Sequence, residues 1–173
     1  MELEARVAAL EARLAALEAA ERESPDRPRL AEGDFWALNG FKAQLADAGA
    51  GDGGVLFTGA VRLPTGEWYE WQHGALAAPL FADGPDGDWS DAAESLAALG
   101  HPVRLRLLRE ILGGRRTAAE LTELEGLGTT GQIYHHLRQL TGAGWLHTTS
   151  RGRYEVPGTR VVPLLVALTA ARP

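Results

Sequence analysis

The chain has 173 residues, is 45% hydrophobic and 23% charged, and carries a formal net charge of −6. That apolar fraction is ordinary for a folded protein and excludes general disorder; no apolar run reaches the ~18 residues of a membrane span. There is no cysteine, which excludes disulfides, thiol chemistry and zinc knuckles, and an acidic N-terminus without an apolar core segment does not read as a secretory signal, so the expected location is cytoplasmic. The charge is unevenly spread. Residues 1–33 hold eight acidic and five basic side chains (−3), residues 34–91 nine and two (−7), and residues 92–173 six and ten (+4). An acidic front is joined to a basic back, and only the back suits a polyanionic partner.

Residues 1–23 are almost entirely Ala, Leu, Glu and Arg, all good helix formers. Leu3, Val7, Leu10, Leu14 and Leu17 alternate spacings of four and three, the seam of a coiled coil with Val7 and Leu14 at a and the leucines at d. Arg6 and Arg13 then fall at g, opposite Glu11 and Glu18 at e of a parallel partner. The seam is expected to dimerise the chain, because a lone helix of this length is marginal. Ser24 to Pro28, with two prolines, ends the helix, and residues 24–33 read as a linker.

Residues 34–90 contain nine of the twelve aromatic residues. Asp34 is a candidate N-cap for a helix to about Leu45. Gly49, Gly51 and Gly54 have dinucleotide-loop spacing, but they follow a helix and open a strand, the reverse of that motif's setting. Val55–Leu63 and Trp68–His73 read as a hairpin around Pro64-Thr65-Gly66. Two strands alone are marginal, so they must pack on a helix, a partner or the back of the chain. The aromatic residues read first as a small core and second as a pocket for a small apolar effector, with Trp36, Phe57, Trp68 and Trp71 as its candidate lining. Asp83, Asp86 and Asp88 lack the offsets of a calcium loop and read as an acidic linker.

The basic back is expected to start a domain at residue 91 and run to 173. Asp91 and Glu94 form a capping-box pattern for a helix to Leu99, broken by Gly100-His101-Pro102. A second helix carries Val103, Leu107, Leu108 and Ile111 and stops at Gly113-Gly114. Thr117 and Glu120 form another capping box, Gly126-Leu127-Gly128 a tight turn, and Thr129 caps a helix to about Thr141. That last helix buries Ile133, Leu137 and Leu140 and shows Gly131, Tyr134, His135 and Arg138 on its other side, with Thr129, Thr130 and Gln132 in its first turn. A short helix, a glycine turn and a helix with a polar outer face make a helix-turn-helix pattern. Arg reads guanine, Gln reads adenine, and hydroxyls and helix N-terminal amides reach phosphate. Trp145–Thr148 and Arg153–Val156 form a second hairpin, a wing with Arg151 and Arg153 near its tip, suited to phosphates or the minor groove. Val161 to Leu168 read as an apolar C-terminal helix, with Pro163 tolerated only in its first turn.

The run Leu96 to Leu105 with Gly100-His101-Pro102, then Thr117-Ala118-Ala119-Glu120-Leu121, then His135 to Leu140 and Ala143-Gly144-Trp145-Leu146 resembles the ArsR/SmtB-type winged helix-turn-helix repressors over about residues 92–157. The resemblance implies a homodimer on a palindromic operator of double-stranded DNA, with Thr129–Arg138 on the recognition helix and Arg151 and Arg153 on the wing. It departs from the family in having no cysteine and no Asp, Glu or His in Gly158–Pro173, which argues against metal sensing. Trp145 also replaces a smaller aliphatic residue. His135 then reads as DNA-facing, His136 as core-edge, and His73, His101 and His147 as loop residues.

The expected fold is mainly α with small β, an α+β winged helix-turn-helix domain behind a coiled-coil helix and a helix-plus-hairpin segment. The expected function is a dimeric, sequence-specific transcription regulator, most simply a repressor, without cofactor or metal. The alternative is a winged-helix module for protein assembly that binds no DNA. An enzyme is disfavoured, since no nucleophile motif, metal cluster, phosphate loop in context or spaced carboxylate pair is present.

Overall fold

The computed structural model describes residues 6–13, 35–84, 87–149 and 152–172. The chain divides into two compact units, Met1–Asn39 and Gly40–Pro173. In the first, residues 6–13 are helical (α1) and exposed, including Val7 and Leu10. Leu3, Leu14 and Leu17, the rest of the expected seam, lie outside the described residues.

The elements that follow are α2 (Trp36–Asp47), β1 (Gly54–Arg62), β2 (Trp68–Leu76), α3 (Ala77–Leu80), α4 (Ser90–Leu99), α5 (Pro102–Leu112), α6 (Ala118–Thr122), α7 (Thr130–Gly142), β3 (His147–Thr148), β4 (Tyr154–Glu155) and α8 (Gly158–Ala170). The fold is α+β, helices with two small antiparallel sheets, β1-β2 and β3-β4.

The first hairpin closes where its turn residues direct it. Leu63 N–H donates to the Glu67 carbonyl, Gly66 N–H donates to the Leu63 carbonyl, and Gly66 adopts φ +90°, a conformation that favours glycine. Strand register pairs Phe57 with His73, Gly59 with Trp71, and Val61 with Tyr69. Period-two alternation puts these pairs on one face and Leu56, Gly74, Arg62 and Trp68 on the other. Helices cover both faces. Phe41 and Leu45 of α2 reach Gly54, and Phe41 also reaches Gly74 beside Leu56. On the opposite face α8 lies so close that a Cβ on Gly59 would stand 2.6 Å from Val162 Cγ1, and one on Gly158 would stand 3.3 Å from Tyr69 Cε1. Only a residue without a side chain admits that approach at Gly59.

The core runs through the helical back of the chain and into the hairpin. Leu107, Leu121, Ile133, Leu137 and Leu140 are fully buried, and Leu63 joins the same cluster with Val61 and Tyr69 packed against it. The stretch that composition set apart as residues 34–90 thus shares the core of the helices after it through its hairpin.

Three local expectations are corrected. The Asp91–Glu94 capping box does not form. Asp88 accepts from the Ser90 N–H (2.9 Å) and hydroxyl (2.6 Å), and α4 starts at Ser90, two residues before the helix that an Asp91 cap would open. His101 is no loop residue. It is the N-cap of α5, its Nδ1 accepting from Val103 N–H at 3.1 Å, with Pro102 at the first helical position where its missing N–H costs nothing. Pro163 lies inside α8 rather than in its first turn, because the helix already begins at Gly158, beneath Tyr69.

Candidate nucleic-acid interface

Both helices of the helix-turn-helix are fixed at their N-termini by side chains three residues apart. Thr117 caps α6 reciprocally with Glu120, and Thr129 caps α7 reciprocally with Gln132. At α7, Thr129 N–H donates to Gln132 Oε1 at 2.8 Å, and the Thr129 hydroxyl, 3.4 Å away, accepts from Gln132 N–H. Gly128, at φ +95°, delivers the chain to this cap. A Cβ there would collide with Gln132 Oε1.

The inner face of α7 is anchored by Ile133, Leu137 and Leu140. Arg104 of α5 adds a polar clamp, donating to Gln139 Oε1 (2.6 Å) and to the Ala97 carbonyl (2.8 Å), so one guanidinium joins α4, α5 and α7. The outer face is open: Thr130, Gly131, Tyr134, His135 and Arg138 are exposed, and α7 carries no acidic side chain. Thr129 and Gln132 are exposed too, but their polar atoms hold the cap. Gln132 therefore presents no free carbonyl oxygen for a bidentate adenine contact.

The wing pairs His147 with Glu155 and Thr148 with Tyr154, and Arg153 bridges back to Thr117 ahead of α6. Gly152, at φ +67°, turns the tip. Arg151 lies outside the described residues. Arg153 is half-buried, and its charge helps hold the Glu120 carboxyl below its ordinary range, after the hydrogen bonds from Thr117 and the one from the Arg116 N–H. The wing is tied down by Arg116, whose guanidinium bonds Glu67 in the turn of the first hairpin and Glu155 on β4 at 3.4 Å. The bond from Arg116 is the main reason the Glu67 carboxyl titrates below its usual range, with Thr65 adding to it.

Trp145, the departure from the family pattern, is buried. Its indole N–H donates to the Ser95 carbonyl at 2.9 Å, and the Arg160 guanidinium lies 5.0 Å over its ring. A smaller aliphatic residue would tie neither α4 nor α8 to the start of the wing. Arg104, Arg116 and Trp145 were all missed as positioning residues from sequence, because each is held by a partner 35 to 50 residues away.

The candidate effector pocket is not assembled. Phe57 and Trp71 lie on the α8 face of the hairpin. Trp68 lies on the opposite face, with the Arg62 guanidinium 5.5 Å over its ring. Trp36 is exposed. Strand alternation separates Trp68 from Trp71, three positions on.

On α7, the His136 ring meets His101 at 4.6 Å between ring centroids, tilted by 39°, and meets His135 edge-on at 5.8 Å. Burial, then the fields of His101, Arg104 and His135, push the His136 pKa below its ordinary value. A histidine depressed in the folded state binds its proton more readily when unfolded, so the folded state loses stability as pH falls through the unfolded value of about 6.5. Urea unfolding of wild type at pH 5.5 is therefore expected to give a lower unfolding free energy than at pH 7.5, and His136→Gln should shrink the difference. An unchanged difference in the variant would refute the assignment.

No group of histidine, aspartate and glutamate among the described residues has metal-binding geometry, and no helix among them is long and apolar enough to cross a membrane. No curated protein and no solved structure matches the chain. A family model described as a helix-turn-helix domain matches residues 99–148, from the end of α4 through the second strand residue of the wing. The chain thus carries a helix-turn-helix domain, the kind of domain with which transcription regulators bind DNA.

Proposed function

We propose that the protein is a dimeric, sequence-specific regulator of transcription of the ArsR/SmtB type, acting on double-stranded DNA as a repressor in the cytoplasm. In this reading residues 1–23 are a coiled-coil dimerisation helix, 24–33 a linker, 34–90 a sensing or dimerisation segment and 91–173 the DNA-binding domain. α7 enters the major groove and the wing lies on the backbone or in the minor groove. The observation that carries the reading is the outer face of α7, where Tyr134, His135 and Arg138 stand exposed on a helix rigidly capped at Thr129 and free of acidic side chains. Arg138 is the base-reading residue, and Thr130 with the first-turn amides is suited to phosphate. Arg153, shared with Glu120, is the weaker of the expected contacts, and Arg151 at the wing tip the stronger.

The test is selection of bound sequences from a random duplex pool, followed by a salt titration on the winner. A palindrome is expected, with half-site centres about 10 base pairs or a multiple apart. With 6–10 phosphate contacts, affinity should drop about 10³- to 10⁵-fold between 50 and 200 mM salt. Recovery of no enriched sequence, together with no salt-sensitive binding to any duplex, would overturn the reading and leave a protein-assembly module.

A further inference from the structure

A groove of about 590 Å³ opens between the end of β1, α5 and α8, and none of Trp36, Phe57, Trp68 and Trp71 lines it. Its floor is core: Leu63, Leu108 and Leu164 are buried. Its walls are half-buried aliphatic side chains, Val61 from the hairpin, Leu105 and Leu112 from α5, and Leu165 and Leu168 from α8. The volume falls within the roughly 300–1,000 Å³ range of small-molecule sites.

The polar part of the lining has one sign. Arg62, Arg106 and Arg109 complete it, all three are exposed, and no acidic side chain lines the groove. Arg106 carries its guanidinium toward Gly126, and Arg62 toward Trp68. Among the described residues no carboxylate forms an ion pair with any of the three. An aliphatic trench rimmed by uncompensated cations selects its occupant. A neutral hydrocarbon leaves the guanidinium groups unused, a cationic amphiphile is repelled, and a second copy docked groove to groove would set three arginines against three more.

We propose that this groove binds an anionic amphiphile, a straight-chain carboxylate whose tail lies between α5 and α8 and whose head meets Arg109 at the rim. The inference gives the proposed regulator's effector a chemical class and a place. It rests on that reading only for the consequence at DNA.

The experiment is calorimetric titration of the full chain, without DNA, with dodecanoate below its micelle concentration. Decanoate, dodecanol and dodecyltrimethylammonium serve as comparisons. Saturable binding of one dodecanoate per chain is expected, weakening about fourfold for each methylene removed, the value of one buried CH₂. Arg109→Gln, at an exposed position and checked for folding by circular dichroism, should weaken dodecanoate about tenfold and leave dodecanol unchanged. Absence of saturable dodecanoate binding would overturn the proposal. So would equal affinity for the cationic amphiphile, or indifference to the Arg109 variant. Sedimentation showing that Leu168→Glu converts a dimer to a monomer would also overturn it, by making the groove an interface between copies. A protein that binds dodecanoate but no duplex keeps the groove and loses the regulator, and the converse result does the opposite.

Discussion

Replacing Leu137 by alanine is expected to lower the unfolding free energy by about 2–5 kcal/mol, the cost of emptying a fully buried leucine site. Replacing its neighbour Arg138 is expected to leave stability within about 0.5 kcal/mol. The two residues adjoin on α7 but face opposite ways. Leu137 is buried beside Ile133 and Leu140 in the core, whereas Arg138 is exposed and makes no ion pair among the described residues. On DNA the order reverses. If Arg138 reads a guanine, Arg138→Ala should weaken the selected site by about 1–3 kcal/mol, roughly 5- to 150-fold, and flatten preference at one base position. Urea unfolding and electrophoretic mobility shifts on the same two proteins check both halves. An Arg138→Ala protein that is fully folded and binds the selected site as wild type would remove α7 from the base-reading role.

The second large effect is expected at the contact of the first hairpin with α8. Alanine at Gly59 places a methyl 2.6 Å from Val162 Cγ1, inside van der Waals contact with a buried side chain. Overpacking of this kind costs about 1–3 kcal/mol, more than the roughly 0.5–1 kcal/mol that alanine gains over glycine in a strand. Val162→Ala removes buried apolar surface and is expected to cost about 1.5–3 kcal/mol alone. Made together, the two changes should cost at least about 1 kcal/mol less than their sum, since the new methyl occupies the space Val162 vacates. Strict additivity in urea unfolding would mean that the hairpin does not rest on α8 at this point.

What the sequence made legible is what acts locally. The Thr117–Glu120 and Thr129–Gln132 boxes are contacts between residues three apart, and both form as their spacing requires. The buried stripe of Ile133, Leu137 and Leu140 follows from helical period, and the first hairpin from its turn residues. The failed box at Asp91–Glu94 was also a local matter. Two acidic residues compete to open α4, and Asp88 prevails by taking both the N–H and the hydroxyl of Ser90. The aromatic pocket failed against the same alternation that predicted the strands, because Trp68 and Trp71 differ by an odd number of positions. Long-range packing left no comparable trace. Gly59 and Val162 are far apart in the chain, and neither residue type announces the other. The groove has the same origin, since its walls come from three elements whose leucines read individually as ordinary core.

The Arg116 bridge bears on how the wing moves. One guanidinium grips the tip of the first hairpin through Glu67 and the return strand of the wing through Glu155. A displacement of that tip must either snap one of these ion pairs or be handed on to β4. The wing is therefore a tethered lever rather than a free-swinging arm. Arg116 shares the tethering with the Thr117–Arg153 bridge, and of the two it alone reaches the turn whose neighbours Leu63 and Pro64 border the groove.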